Sequence, residues 1–80
     1  QYENDAQVNF NLRAQIHNIH QLKRKYDKIW DTITFNELVN MSPTLMVIRK
    51  KLNGDKLKDW VKRLKVRMHR EGLLGKKMVN

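Results

Sequence analysis

The sequence has no cysteine, one proline, three glycines and a single serine. Without cysteine there is no disulfide framework and no thiolate-ligated metal site. One serine (Ser42), no cysteine and no glycine-rich phosphate loop leave little for covalent or phosphoryl chemistry, so an enzyme is not expected. No apolar run approaches the roughly 18 to 20 residues that span a bilayer, and no apolar leader opens the chain. The first residue is Gln1 rather than methionine, which reads as a module of a longer protein. Eighty residues suit one domain and are too few for two cores.

What the chain has in quantity is positive charge, unevenly placed. The net charge is +9. Residues 1–48 carry five basic and five acidic side chains, whereas residues 49–80 carry twelve and three. A basic half beside a neutral half gives a one-sided field that favours nucleic acid, an anionic surface or an acidic peptide. Composition does not choose among them.

The apolar pattern is helical nearly throughout. Val8, Leu12, Ile16, Ile19, Leu22, Tyr26, Ile29, Trp30 and Ile33 step by threes and fours, which stacks them on one helical stripe with the polar residues between them facing water. Asn4, Asp5 or Asn11 can cap the start. The stripe is one long helix or two, with the joint at Lys23-Arg24-Lys25. Thr34 with Glu37 three residues on predicts a capping box and a short helix through about Asn40. Ser42-Pro43 predicts a new N-cap with proline at the first helical position. The helix that follows carries Leu45, Met46, Val47 and Ile48, apolar all round, and is expected to be central.

Asn53-Gly54-Asp55 reads as a stop and a restart, with Gly54 in the left-handed region and Asp55 as the next cap. The last helix places Leu57, Trp60, Val61, Leu64 and Met68 within an arc of about 100°. Lysines and arginines fill most of the rest. Gly72 ends it, and residues 73–80 read as a tail. These readings give an all-α fold, a compact bundle of four to five helices in a single domain over residues 1–72.

From Ile33 to Met68 the chain resembles the TFIIS N-terminal domain, a family that includes the integrase-binding domain of LEDGF-type chromatin proteins. Ile33-Thr34 match the opening of its short helix, and Leu45, Ile48, Arg49 and Lys50 match the middle. Leu57, Trp60, Val61, Leu64 and Met68 match the spacing of the last helix. Met68 stands where many members carry tryptophan, and the joint from Leu52 to Asp55 is shorter than in the LEDGF-type form. The first 32 residues follow the two opening helices of the family loosely. The resemblance implies a right-handed helical array in a nuclear transcription-elongation or chromatin factor. It also implies docking of short, disordered, acidic–aromatic segments. Such a segment orders on binding, and its one or two anchors need an apolar cleft while its carboxylates need a positive rim.

The expected cleft has Leu52, Asn53, Gly54 and Lys56 as one wall and Tyr26 and Asp27 as the other. Arg49, Lys50, Lys51, Lys56, Lys62 and Arg63 supply the positive rim. The same basic run also fits an ordinary solvated face, or a non-specific site for nucleic-acid phosphates, which is the alternative function. Trp30 and Trp60 read as core, so stacking on single strands is disfavoured. Val66, Leu73 and Leu74 could form a second contact surface. His17 and His20 share a helix face, but zinc needs at least three protein ligands and His69 is distant, so no metal and no cofactor are expected. Asp27 and Asp31, four apart, read as solvating carboxylates. A monomer is expected.

Overall fold

The computed structural model describes residues 11–79. Within them lie four α-helices and two 3-10 helices, and no strand. The fold is the expected all-α bundle.

Helix α1 (Leu12–Lys25) starts at Asn11, whose side chain accepts from the backbone N–H of Arg13 at 2.9 Å and of Ala14 at 3.4 Å. The other cap candidates, Asn4 and Asp5, and the apolar Val8 lie outside the described residues. The stripe breaks at Tyr26 into a 3-10 helix, Asp27–Thr32, so the joint falls at the end of the basic cluster. Tightening the turn buries Trp30 and leaves Ile29 49% exposed. Ile16 and Ile19 are buried as the periodicity predicts. Gln15, expected among the water-facing residues, is fully buried instead. Its Oε1 accepts the indole N–H of Trp60 at 2.9 Å, and a buried indole needs such an acceptor.

Helix α2 (Phe35–Met41) opens with the predicted capping box: Glu37 N–H donates to Thr34 Oγ1 at 3.1 Å and Thr34 N–H to Glu37 Oε1 at 2.9 Å. Helix α3 (Pro43–Lys51) opens on Ser42, which accepts from Leu45 N–H at 3.1 Å and has proline behind it at the first helical position. The buried Ser42 hydroxyl also donates to Asn18 Oδ1 at 2.6 Å, pinning α3 to α1. Leu45 and Ile48 are fully buried, but Val47 is 41% exposed, so α3 is amphipathic rather than enclosed. Four consecutive apolar residues, Leu45 to Ile48, cannot all face one side of a helix.

Helix α4 (Gly54–Arg70) begins at Gly54 with φ +60°, the left-handed conformation the sequence called for. Asn53, not Asp55, occupies the cap position, and its side chain makes no capping bond. Trp60, Leu64 and Met68 are buried and Leu57 and Val61 half-buried. The helix closes in a Schellman motif around Gly72 (φ +71°), with Leu73 N–H on Met68 C=O at 2.8 Å and Gly72 N–H on His69 C=O at 3.2 Å.

That motif turns the chain back onto the body, so residues 73–78 are not a tail. Leu73 and Met78 are each 1% exposed, and the Leu73 carbonyl accepts the indole N–H of Trp30 at 2.7 Å. A second 3-10 helix, Lys76–Met78, is tied to Asp31 through Lys76 N–H at 3.2 Å. Gly75 passes so close to Trp30 that a Cβ there would lie 2.8 Å from the Trp30 carbonyl oxygen. With Leu73 buried, the surface expected from Val66, Leu73 and Leu74 does not form. Val66 alone is well exposed, at 47%.

Candidate docking groove

Two features of the chain bring an apolar groove to the joint between α3 and α4. Leu52 leaves α3 in extended conformation, and Gly54 turns the chain sharply into α4. Leu52 thereby faces the first turn of α1, where Leu12 sits, and Trp60 closes the floor between them. Lys56 and Arg63 stand along the side, with a groove volume of about 480 Å³. Lys56, Asp59, Trp60 and Arg63 follow 0, +3, +4, +7 spacing, which is one flank of a helix.

The groove also contains Asp55 and Asp59. Arg63 Nε holds the Asp59 carboxylate at 2.9 Å. Asp55 lies in the first turn of α4, where a carboxylate complements the helix dipole. Around these, residues 49–67 carry nine basic side chains against two acidic ones, so the surroundings stay positive.

Of the residues the sequence singled out, Leu52, Lys56 and Arg63 line this groove, and exposed Lys51, Asn53 and Gly54 flank it along the chain. Exposed Lys50 and Lys62 lie outside its lining. Arg49 does not join it; half-buried, it donates to Asn40 Oδ1 at 2.5 Å and faces Phe35 on the other flank of α4. Tyr26 and Asp27 are not the opposite wall. They follow the last residue of α1 while Leu12 is its first, which separates them by about 20 Å along that helix. Tyr26 lines a separate depression with Ile29, Ile33 and Met41, and Asp27 pairs with Lys23 at 2.9 Å. The opposite wall is Leu12. Reading α1 as a straight rod puts Leu12 and Tyr26 at its two ends, so only one of them can reach the joint, and the spacing alone does not tell which.

His20 does other work. His20 Nε2 meets Glu71 Oε1 at 2.9 Å, and Arg67 Nε meets the other carboxylate oxygen at 2.8 Å. The hydrogen bond from His20 and then that from Arg67 hold the Glu71 carboxyl below its ordinary range. The clamp ties α1 to the end of α4. Among the described residues no three metal-ligating side chains gather, and no helix is long and apolar enough to cross a membrane.

Compared with known proteins, the chain matches no family model, no curated protein and no solved structure.

Proposed function

We propose that this domain is a protein-interaction module that captures a short, disordered, acidic–aromatic segment in the groove between Leu12 and Leu52. The observation that carries the reading is the meeting of Leu12, Leu52 and Trp60 with Lys56 and Arg63 in one groove at the α3–α4 joint. An aromatic or large aliphatic anchor buries its surface on the floor, and neighbouring carboxylates meet the cations. The cations chiefly raise the association rate and select against basic partners. The resemblance of residues 33–68 to TFIIS N-terminal domains supports a nuclear setting, in a transcription-elongation or chromatin factor. The module acts as a monomer.

Fluorescence anisotropy tests the reading. A labelled peptide with one tryptophan among aspartates and glutamates should bind, and Lys56→Glu should weaken it about tenfold, the scale of one lost charge pair plus one repulsive one. Its affinity should fall modestly with salt, because part of it is apolar. Tighter binding to random duplex, with the steep salt dependence of phosphate contacts, would replace this reading with nucleic-acid binding.

A further inference from the structure

We infer that the domain carries a second docking groove, on the opposite flank of α4, that takes an acidic peptide segment bearing one aromatic side chain. At 100° per residue, Val61 and Lys65 turn to one side of the buried Trp60–Leu64 line while Lys56 and Arg63 turn to the other. The two grooves therefore share Trp60 and little else.

The second groove has an aromatic edge. Phe35 and Trp60 meet edge to face, with centroids 6.5 Å apart and planes at 61°. Leu57 and Val61 complete an apolar floor, within a cavity of about 340 Å³. Further aromatic contacts of this geometry add to the area a ring buries.

Its charge is more one-sided than that of the first groove. Arg49, Lys65 and Lys77 enter from α3, α4 and the C-terminal segment, and no carboxylate among the described residues lines it. None of the three forms an ion pair among the described residues. Arg49 is held at one end by Asn40, and Lys65 Nζ sits 5.0 Å from the centroid of the Phe35 ring. These contacts give both cations a fixed approach to the groove before anything binds. A wholly apolar ligand would desolvate these cations and return nothing. A nucleic acid would meet the cations through its phosphates but leave the Leu57 and Val61 floor uncovered. An aromatic side chain flanked by carboxylates satisfies floor and rim together.

The test is a titration of the ¹⁵N-labelled 80-residue chain with an eight-residue peptide holding one tryptophan flanked on both sides by acidic residues. The expected result is saturable shifts at Phe35, Val61 and Lys65, separable from those at Leu52 and Lys56. Lys77→Glu, at an exposed position, should weaken the first set about tenfold and leave the second unchanged, and Lys56→Glu should do the reverse. Arg49→Glu should act as Lys77→Glu does. Shifts at Phe35, Val61 and Lys65 alone would support this groove and remove the first. Shifts confined to Leu52 and Lys56, or shifts at Phe35 indifferent to both charge reversals, would overturn the inference while leaving the first groove standing. Stronger shifts at Lys65 with random duplex than with peptide at the same salt would overturn it as well.

Discussion

The indole N–H of Trp60 donates to the side-chain carbonyl of Gln15, which lies 45 residues earlier in the chain and is fully buried. That bond fixes α1 against α4 at the residue that floors both grooves. Gln15→Ala leaves the indole without this acceptor in the core, at a cost of about 1–3 kcal/mol. In a domain of this size that corresponds to a fall in Tm of several degrees per kcal/mol, readable by circular dichroism. An unchanged Tm would mean that the bond does not hold α4 in place.

The return of the chain over Trp30 yields a second prediction. Gly75→Ala puts a methyl group 2.8 Å from the Trp30 carbonyl oxygen, so the C-terminal segment must shift. Overpacking of this kind costs about 1–3 kcal/mol. Removing residues 73–80 exposes the Trp30 edge and deletes two buried anchors, Leu73 and Met78, each contributing about 1.5–3 kcal/mol. Urea unfolding should therefore rank the chain above Gly75→Ala and Gly75→Ala above the truncation.

Gly54 sets the angle at which α4 leaves the joint. Alanine there meets no atom within 4 Å, so its effect is backbone strain at φ +60° alone. Gly54→Ala should cost about 1–2 kcal/mol. In urea unfolding the loss should appear without a change in m-value. A neutral substitution would indicate that the joint relaxes to another conformation.

Glu71 makes stability sensitive to acid. Its carboxyl titrates below its ordinary value of 4.5, because His20 and then Arg67 hydrogen-bond the ionised form. A carboxyl with a depressed folded-state pKa stabilises above its unfolded value and loses that contribution as pH falls through the folded one. The chain should therefore be more stable than Glu71→Gln at pH 7, and the gap should begin to narrow below pH 4.5 and close in stronger acid. Urea midpoints for both proteins across that range check it. A constant gap would locate the effect elsewhere.

Local signals in the sequence predict local structure well here. Thr34 and Glu37, Ser42 and Pro43, and Gly54 and Gly72 sit where capping and left-handed conformations require them, and each does so for reasons contained within a few residues. What the sequence hides depends on contacts far apart in the chain. Gln15 looks solvent-facing until Trp60 supplies a donor for it. Residues 73–78 look like a tail because the Leu73 carbonyl finds its donor in Trp30, 43 residues earlier. The groove was half legible. Leu52, Lys56 and Arg63 lie on contiguous chain or on one helical flank, so the joint and the period reveal them. Nothing in the sequence puts Leu12 rather than Tyr26 at the joint, because the direction in which α1 runs past α4 is a tertiary fact with no periodic signature.

The central claim is that Leu12 and Leu52 form the two walls of one peptide-binding groove. Saturation-transfer measurements between a bound acidic–aromatic peptide and methyl-labelled protein test it most directly. Transfer from the ring of the peptide to the methyl groups of both Leu12 and Leu52, reduced in Lys56→Glu at the same peptide concentration, is the expected result. A bound peptide whose ring reaches neither leucine would contradict the account.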